Sequence, residues 1–152
     1  MAYRPRQELH RALFAAFSAR PEVYQIHAFG READGDVDHY SDLDWIVSTA
    51  DAAATQAAYR GILAGIAPVV GAWTIRTDPT ELAQMVLLDG FSPYQKIDLS
   101  VIDCPRRKGD FGPLKCLLDR PRIACPPTQM THAAPRDTLT NRLNDALFSV
   151  PR

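Results

Sequence analysis

Two short apolar runs constrain this chain most. LDWIVST at 43–49 and KIDLSVID at 96–103 both read as strands. In the second, Asp98 lies between Ile97 and Leu99, where an ionised carboxylate is costly unless something pairs with it. The first is led by an Asp-x-Asp pair, Asp42 and Asp44. Side chains alternate across a strand, so both carboxylates point to one face, about 6 to 7 Å apart along the chain. If the two strands are neighbours, three carboxylates converge. Alone, three acids repel one another and raise each other's pKa values. With divalent ions they become hard oxygen ligands of the kind magnesium prefers, and two such ions hold a triphosphate and activate an attacking hydroxyl in line. An Asp-x-Asp at a strand start is otherwise a cap or a solvated edge, and Asp98 could pair with Arg76 or Lys96. The glycine turn at Gly30, upstream of the pair, is what points beyond those readings.

The remaining chain supplies the setting. RQELHRALFAAFSA at 6–19 places Leu9, Leu13, Phe14 and Phe17 at helical spacing. VYQIHAF at 23–29 alternates as a strand that Gly30 ends, and the acidic stretch 31–41 reads as a loop. Asp51 is placed to cap a helix over 52–66, with Ala58, Ile62 and Ile66 on one face. PVVGAWTIR at 68–76 reads as a strand, and LAQMVLLD at 82–89 fits either strand or helix. Trp45 and Trp73 are expected in the core, and His27 as a packed strand residue. Half of the twelve prolines fall in 105–136, which reads as an irregular segment along the domain surface. Asp137 is placed to cap a last helix over 138–148 carrying an apolar stripe of Leu139, Leu143, Leu147 and Phe148, which predicts a homodimer or partner-protein contact. The order of elements predicts an α/β domain with a mixed sheet, divided into a core at 1–104 and a segment at 105–152 packed on it.

Composition narrows the function. The chain has 152 residues, room for one domain with a real core. A formal net charge of −1 argues against a protein held on nucleic acid by phosphate contacts. No apolar run approaches the roughly eighteen residues of a membrane span. MAYRPRQELHRALF lacks the apolar core of a secretory signal, so the cytoplasm is the expected compartment. Cys104, Cys116 and Cys125 form no Cys-x-x-Cys pair and are expected as free thiols.

AFGREADGDVDHYSDLDWIV resembles the signature of the DNA polymerase β-like nucleotidyltransferase superfamily: a strand ending in a glycine turn, a loop, and Asp-x-Asp leading a second strand. Gly30 matches the turn glycine, SDLD at 41–44 matches the acidic motif, and PYQKIDLSVI resembles the strand whose third carboxylate falls on Asp98. The similarity spans roughly residues 5–105 and is closest in flavour to bacterial members that modify aminoglycoside or lincosamide antibiotics. It implies a mixed sheet with helices on one face, and transfer of a nucleoside monophosphate from an NTP, for which ATP is expected, to an acceptor hydroxyl with two Mg²⁺ ions. Asp42 and Asp44 would bind both metals and Asp98 the catalytic one. Gly30, Arg31, Ser41 and Lys96 would contact the nucleotide.

The sequence departs from that pattern at two points. The family's turn pairs its glycine with a serine that holds the terminal phosphates, and that serine is Arg31 here, which could clamp phosphate oxygens bidentately or block the pocket. Antibiotic-modifying relatives also carry a longer C-terminal helical domain. Two alternatives therefore stand beside the enzyme: a nucleotidyltransferase-type antitoxin acting on a partner toxin, and a degenerate member that binds nucleotide or protein without catalysis. The sequence does not name the acceptor.

Overall fold

The computed structural model of the chain describes residues 2–103 and 111–122. Its elements are α1 (Arg6–Ser18), β1 (Val23–Ala28), α2 (Arg31–Asp34), β2 (Leu43–Thr49), α3 (Ala52–Ile66), β3 (Val69–Asp78), β4 (Glu81–Leu88), β5 (Ile97–Ile102) and β6 (Lys115–Asp119). The strands form a six-stranded mixed sheet in the order β3-β4-β5-β2-β1-β6. Only β2 and β5 pair in parallel; the other neighbours are antiparallel. The expected α/β class with a mixed sheet is what the chain forms.

The core follows from the sequence patterning. Leu9, Leu13 and Phe17 recur along one stripe of α1 and are fully buried. Burying each such side chain contributes about 1.5–3 kcal/mol. They join Tyr59 and Leu63 of α3 and the alternating Leu43, Trp45 and Val47 of β2, with Ile97, Leu99 and Val101 of β5, in one cluster. Both long helices thus cover one face of the sheet. The residues between these, Asp44 on β2 and Asp98 on β5, point to the other face. Asp51 caps α3 as expected, accepting from the Ala54 amide at 2.9 Å.

Four expectations need correction, and one open alternative, at 82–89, is decided. The buried stripe of α3 runs through Thr55, Tyr59 and Leu63, one position round from the expected Ala58–Ile62–Ile66 face. The stretch after Gly30 opens with a helical turn, α2, which Gly35 ends in the left-handed conformation at φ 77°. The 82–89 segment is a strand, β4. Trp73 sits half-buried on β3, an outer strand of the sheet, so it does not enter the core. Finally, the proline-rich stretch is not irregular throughout, because β6 pairs with β1 and extends the sheet. Arg120 fixes its end by donating to the carbonyls of Val23 at 2.6 Å, Ser18 at 3.0 Å and Arg20.

Most of the expected 105–152 segment, including the helix at 138–148 with its leucine stripe and the association assigned to it, lies outside the described residues. Among the described residues no helix is long and apolar enough to cross a membrane. Cys116, on β6, is a free and exposed thiol.

Candidate functional site

The parallel pairing of β2 and β5 sets Asp44 directly opposite Asp98. Asp42 precedes Asp44 by two residues, just before β2 begins. The Asp44 backbone is held on both sides: its carbonyl accepts from Phe29 at 2.9 Å, and the neighbouring Leu43 amide donates to the Lys96 carbonyl at 2.9 Å. Gly30 closes in over this pair. Its φ is 60°, a left-handed value that favours glycine, and a Cβ there would stand 2.7 Å from Asp44 Oδ2. The turn therefore needs glycine both for its backbone and for the space Asp44 occupies.

Asp42, Asp44, Ser41, Lys96 and Arg31 line a cleft of about 670 Å³. The Asp42 carboxylate is clamped by one residue: the Lys96 backbone amide donates to Oδ1 at 2.9 Å, and Lys96 Nζ lies 3.3 Å from Oδ2. Arg31 Nη1 is 3.7 Å from Asp38 Oδ2, and both side chains are largely exposed. Ser41 is committed elsewhere, since its hydroxyl donates to Asp38 Oδ1 at 2.8 Å and accepts from the Asp38 amide. Asp98 borders a second cavity, of about 270 Å³, with Arg76, Glu81 and the tilted rings of Phe29 and Phe111. Arg76 pairs there with Glu81 at 3.0 Å, and Lys96 pairs with Asp42, so neither of the two cations expected beside Asp98 is committed to it.

The three acids feel one another. Burial, then the charges of Asp42 and Asp98, push the Asp44 carboxyl up to about 6, against the opposing pull of Arg6 and Lys96. Burial and the Asp42 charge also raise Asp98. The expected convergence is nevertheless looser than a ready-made cage: among the described residues no three His, Cys, Asp or Glu side chains stand close enough together to hold an ion. In chemistry the donors fit a divalent cation. They are hard carboxylate oxygens, and the charges of Asp42 and Asp98, which add to burial in raising Asp44, are ones a cation would offset.

Beneath the cleft lies a buried polar network that sequence reasoning missed. Arg6, on α1, donates through Nη2 to Glu32 Oε2 at 2.8 Å and to the Asp42 carbonyl at 3.0 Å, and through Nε to the Ser41 carbonyl at 3.0 Å. His10 Nε2 lies 2.8 Å from Glu32 Oε1, and Trp45 Nε1 donates to Glu32 Oε2 at 3.4 Å. Burial pushes Glu32 up, but the hydrogen bonds from His10 and Arg6 outweigh it and hold the carboxyl down to about 2. Arg6 and Glu32 are both 5% exposed. The network thus pins the backbone of the Asp-x-Asp segment from below. One signal was readable: Arg6 precedes Leu9 by three residues and so lies on the stripe that α1 buries. Two tyrosines at the mouth of the cleft, Tyr40 and Tyr94, were also missed.

No model of a known protein family matches the chain, and no curated protein matches it.

Proposed function

We propose that the chain is a nucleotidyltransferase of the DNA polymerase β-like superfamily, with its fold, and that it moves a nucleoside monophosphate from an NTP to an acceptor hydroxyl. The observation that carries this reading is the pairing of Asp44 with Asp98 on adjacent parallel strands, with Asp42 two residues upstream and Gly30 folded against Asp44. Asp42, Asp44 and Asp98 would hold the Mg²⁺ ions, which when bound neutralise the triphosphate and lower the pKa of the acceptor hydroxyl.

The chain's own residues do the positioning. Arg31 and Lys96 bring positive charge to the wall of the cleft, where phosphate oxygens would lie. Lys96 would trade its contact with Asp42 for one with phosphate. Ser41 acts through the loop, holding Asp38 rather than touching the nucleotide. The Arg6–Glu32 network keeps the Ser41 and Asp42 carbonyls fixed while ligands exchange above them. In the transfer the acceptor oxygen bonds to the α-phosphorus, the bond to the β-phosphate bridging oxygen breaks, and pyrophosphate leaves. Asp98 takes the acceptor proton. The acceptor would approach from the second cavity, which Asp98 borders.

A non-catalytic nucleotide binder is the second reading, favoured by the Lys96 clamp on Asp42 and by Arg31 at the serine position. Isothermal titration with ATP, with and without Mg²⁺, tests both against none. Metal-dependent binding supports the nucleotidyltransferase site, metal-independent binding favours the second reading, and no binding removes both.

A further inference from the structure

The cleft is chemically two-ended. Its inner wall carries Asp42, Asp44 and Lys96, and its mouth carries the exposed Arg31 and two aromatic rings. Tyr40 is 54% exposed and Tyr94 is 71% exposed, and their rings stand 6.4 Å apart at 87° to each other. Tyr40 packs against the His39 ring, with centroids 3.8 Å apart, so Tyr94 is the ring most open to take another flat group. Their backbones, by contrast, are tied down. The Tyr40 amide donates to Asp38 Oδ1 at 2.9 Å, and the Tyr94 amide to Ser92 Oγ at 3.3 Å. The Gln95 side chain then donates to the His39 carbonyl, which joins the two loops. The rings are therefore exposed but presented from fixed positions, which lowers the ordering cost of binding to them. The volume, about 670 Å³, lies within the usual range for a small-molecule site.

We infer that Tyr94 and Tyr40 form a stacking platform for the nucleobase, and that the site prefers purine over pyrimidine nucleoside triphosphates. The inference rests on the nucleotidyltransferase reading and adds the ligand's other end. A ligand that matches an ionic inner wall and an aromatic mouth is anionic at one end and flat at the other. Stacking uses the π-face of a base rather than its hydrogen-bonding edge, so it accepts every base and gains most from the larger ring system. Preference for two-ring bases follows, with little discrimination between adenine and guanine.

The test is isothermal titration of the full chain in Mg²⁺ with ATP, GTP, CTP, UTP and inorganic tripolyphosphate. The wild type is expected to bind ATP and GTP with similar affinity, CTP and UTP more weakly, and tripolyphosphate most weakly. Tyr94→Ala is expected to weaken ATP and GTP roughly tenfold or more while leaving tripolyphosphate unchanged. Tyr94→Phe keeps the ring and is expected to stay within about twofold of wild type. The inference is overturned if Tyr94→Ala and Tyr40→Ala both bind ATP as the wild type does, or if they weaken tripolyphosphate as much as ATP. Those results would leave the nucleotidyltransferase reading standing. A wild type that binds neither nucleotide nor tripolyphosphate overturns both.

Discussion

Replacing Asp44 by asparagine removes a charge while keeping the side chain's shape beside Gly30, where space is tightest. In the folded chain the Asp44 carboxyl titrates at about 6 instead of 3.8, so the fold favours its protonated form. At pH 8 Asp44 is ionised in both states, and the folded state bears the cost. The gap between 3.8 and about 6 corresponds to about 3 kcal/mol, an upper bound because the cleft is open to solvent. In a domain this size 1 kcal/mol is worth roughly 2–4 °C, so Asp44→Asn is expected to melt up to about 6–12 °C higher than wild type at pH 8 in a chelator. The advantage shrinks as pH falls through 6 and is gone below about 4, where the wild-type carboxyl is protonated in both states. Thermal melts of both proteins from pH 4 to 8, in EDTA, measure this directly. An Asp44→Asn protein that melts well below wild type at pH 8 would refute the reasoning, because the carboxylate would then be holding the fold together rather than straining it.

Glu32 has the opposite sign. Its lowered pKa of about 2 contributes stability above the unfolded value of 4.5 that is lost as pH falls toward 2, so Glu32→Gln is expected to cost about 3 kcal/mol at pH 7 and much less near pH 2 in denaturant titrations. Gly30→Ala is expected to destabilise the fold by roughly 1–3 kcal/mol, since it combines a left-handed φ with a Cβ 2.7 Å from Asp44 Oδ2; an unchanged melting temperature would contradict so close an approach of the turn to Asp44. Arg120→Ala is expected to loosen β6 from β1, read as faster amide hydrogen exchange at Ile26 and Ala28, which face β6, with the β2–β5 amides still protected.

Much of this arrangement was legible in the sequence, for local reasons. Asp98 between Ile97 and Leu99, and Asp44 between Leu43 and Trp45, follow from a period of two, and the register that sets them opposite each other carries that pattern into space. Asp51 announced its helix because capping is a local interaction. What stayed hidden depends on partners distant in sequence. β6 needed only β1 to pair with, and as an outer strand it shows no buried alternation. The helical turn after Gly30 is too short to show a period. Glu32 looked like one acid among several in a polar stretch, and only the approach of α1 gives it Arg6 and His10. Trp73 was misplaced because hydrophobicity alone does not tell a central strand from an outer one.

The central claim is that Asp42, Asp44 and Asp98 bind a nucleotide through divalent ions. Manganese is a spin-active stand-in for magnesium, so electron paramagnetic resonance can count the ions taken up when a non-hydrolysable ATP analogue is added to the chain. Uptake of about two ions per chain is expected in the wild type, with a clear loss in Asp42→Asn, Asp44→Asn and Asp98→Asn alike. A wild type that takes up no more manganese than the analogue binds alone, or uptake that all three variants leave unchanged, would contradict the claim.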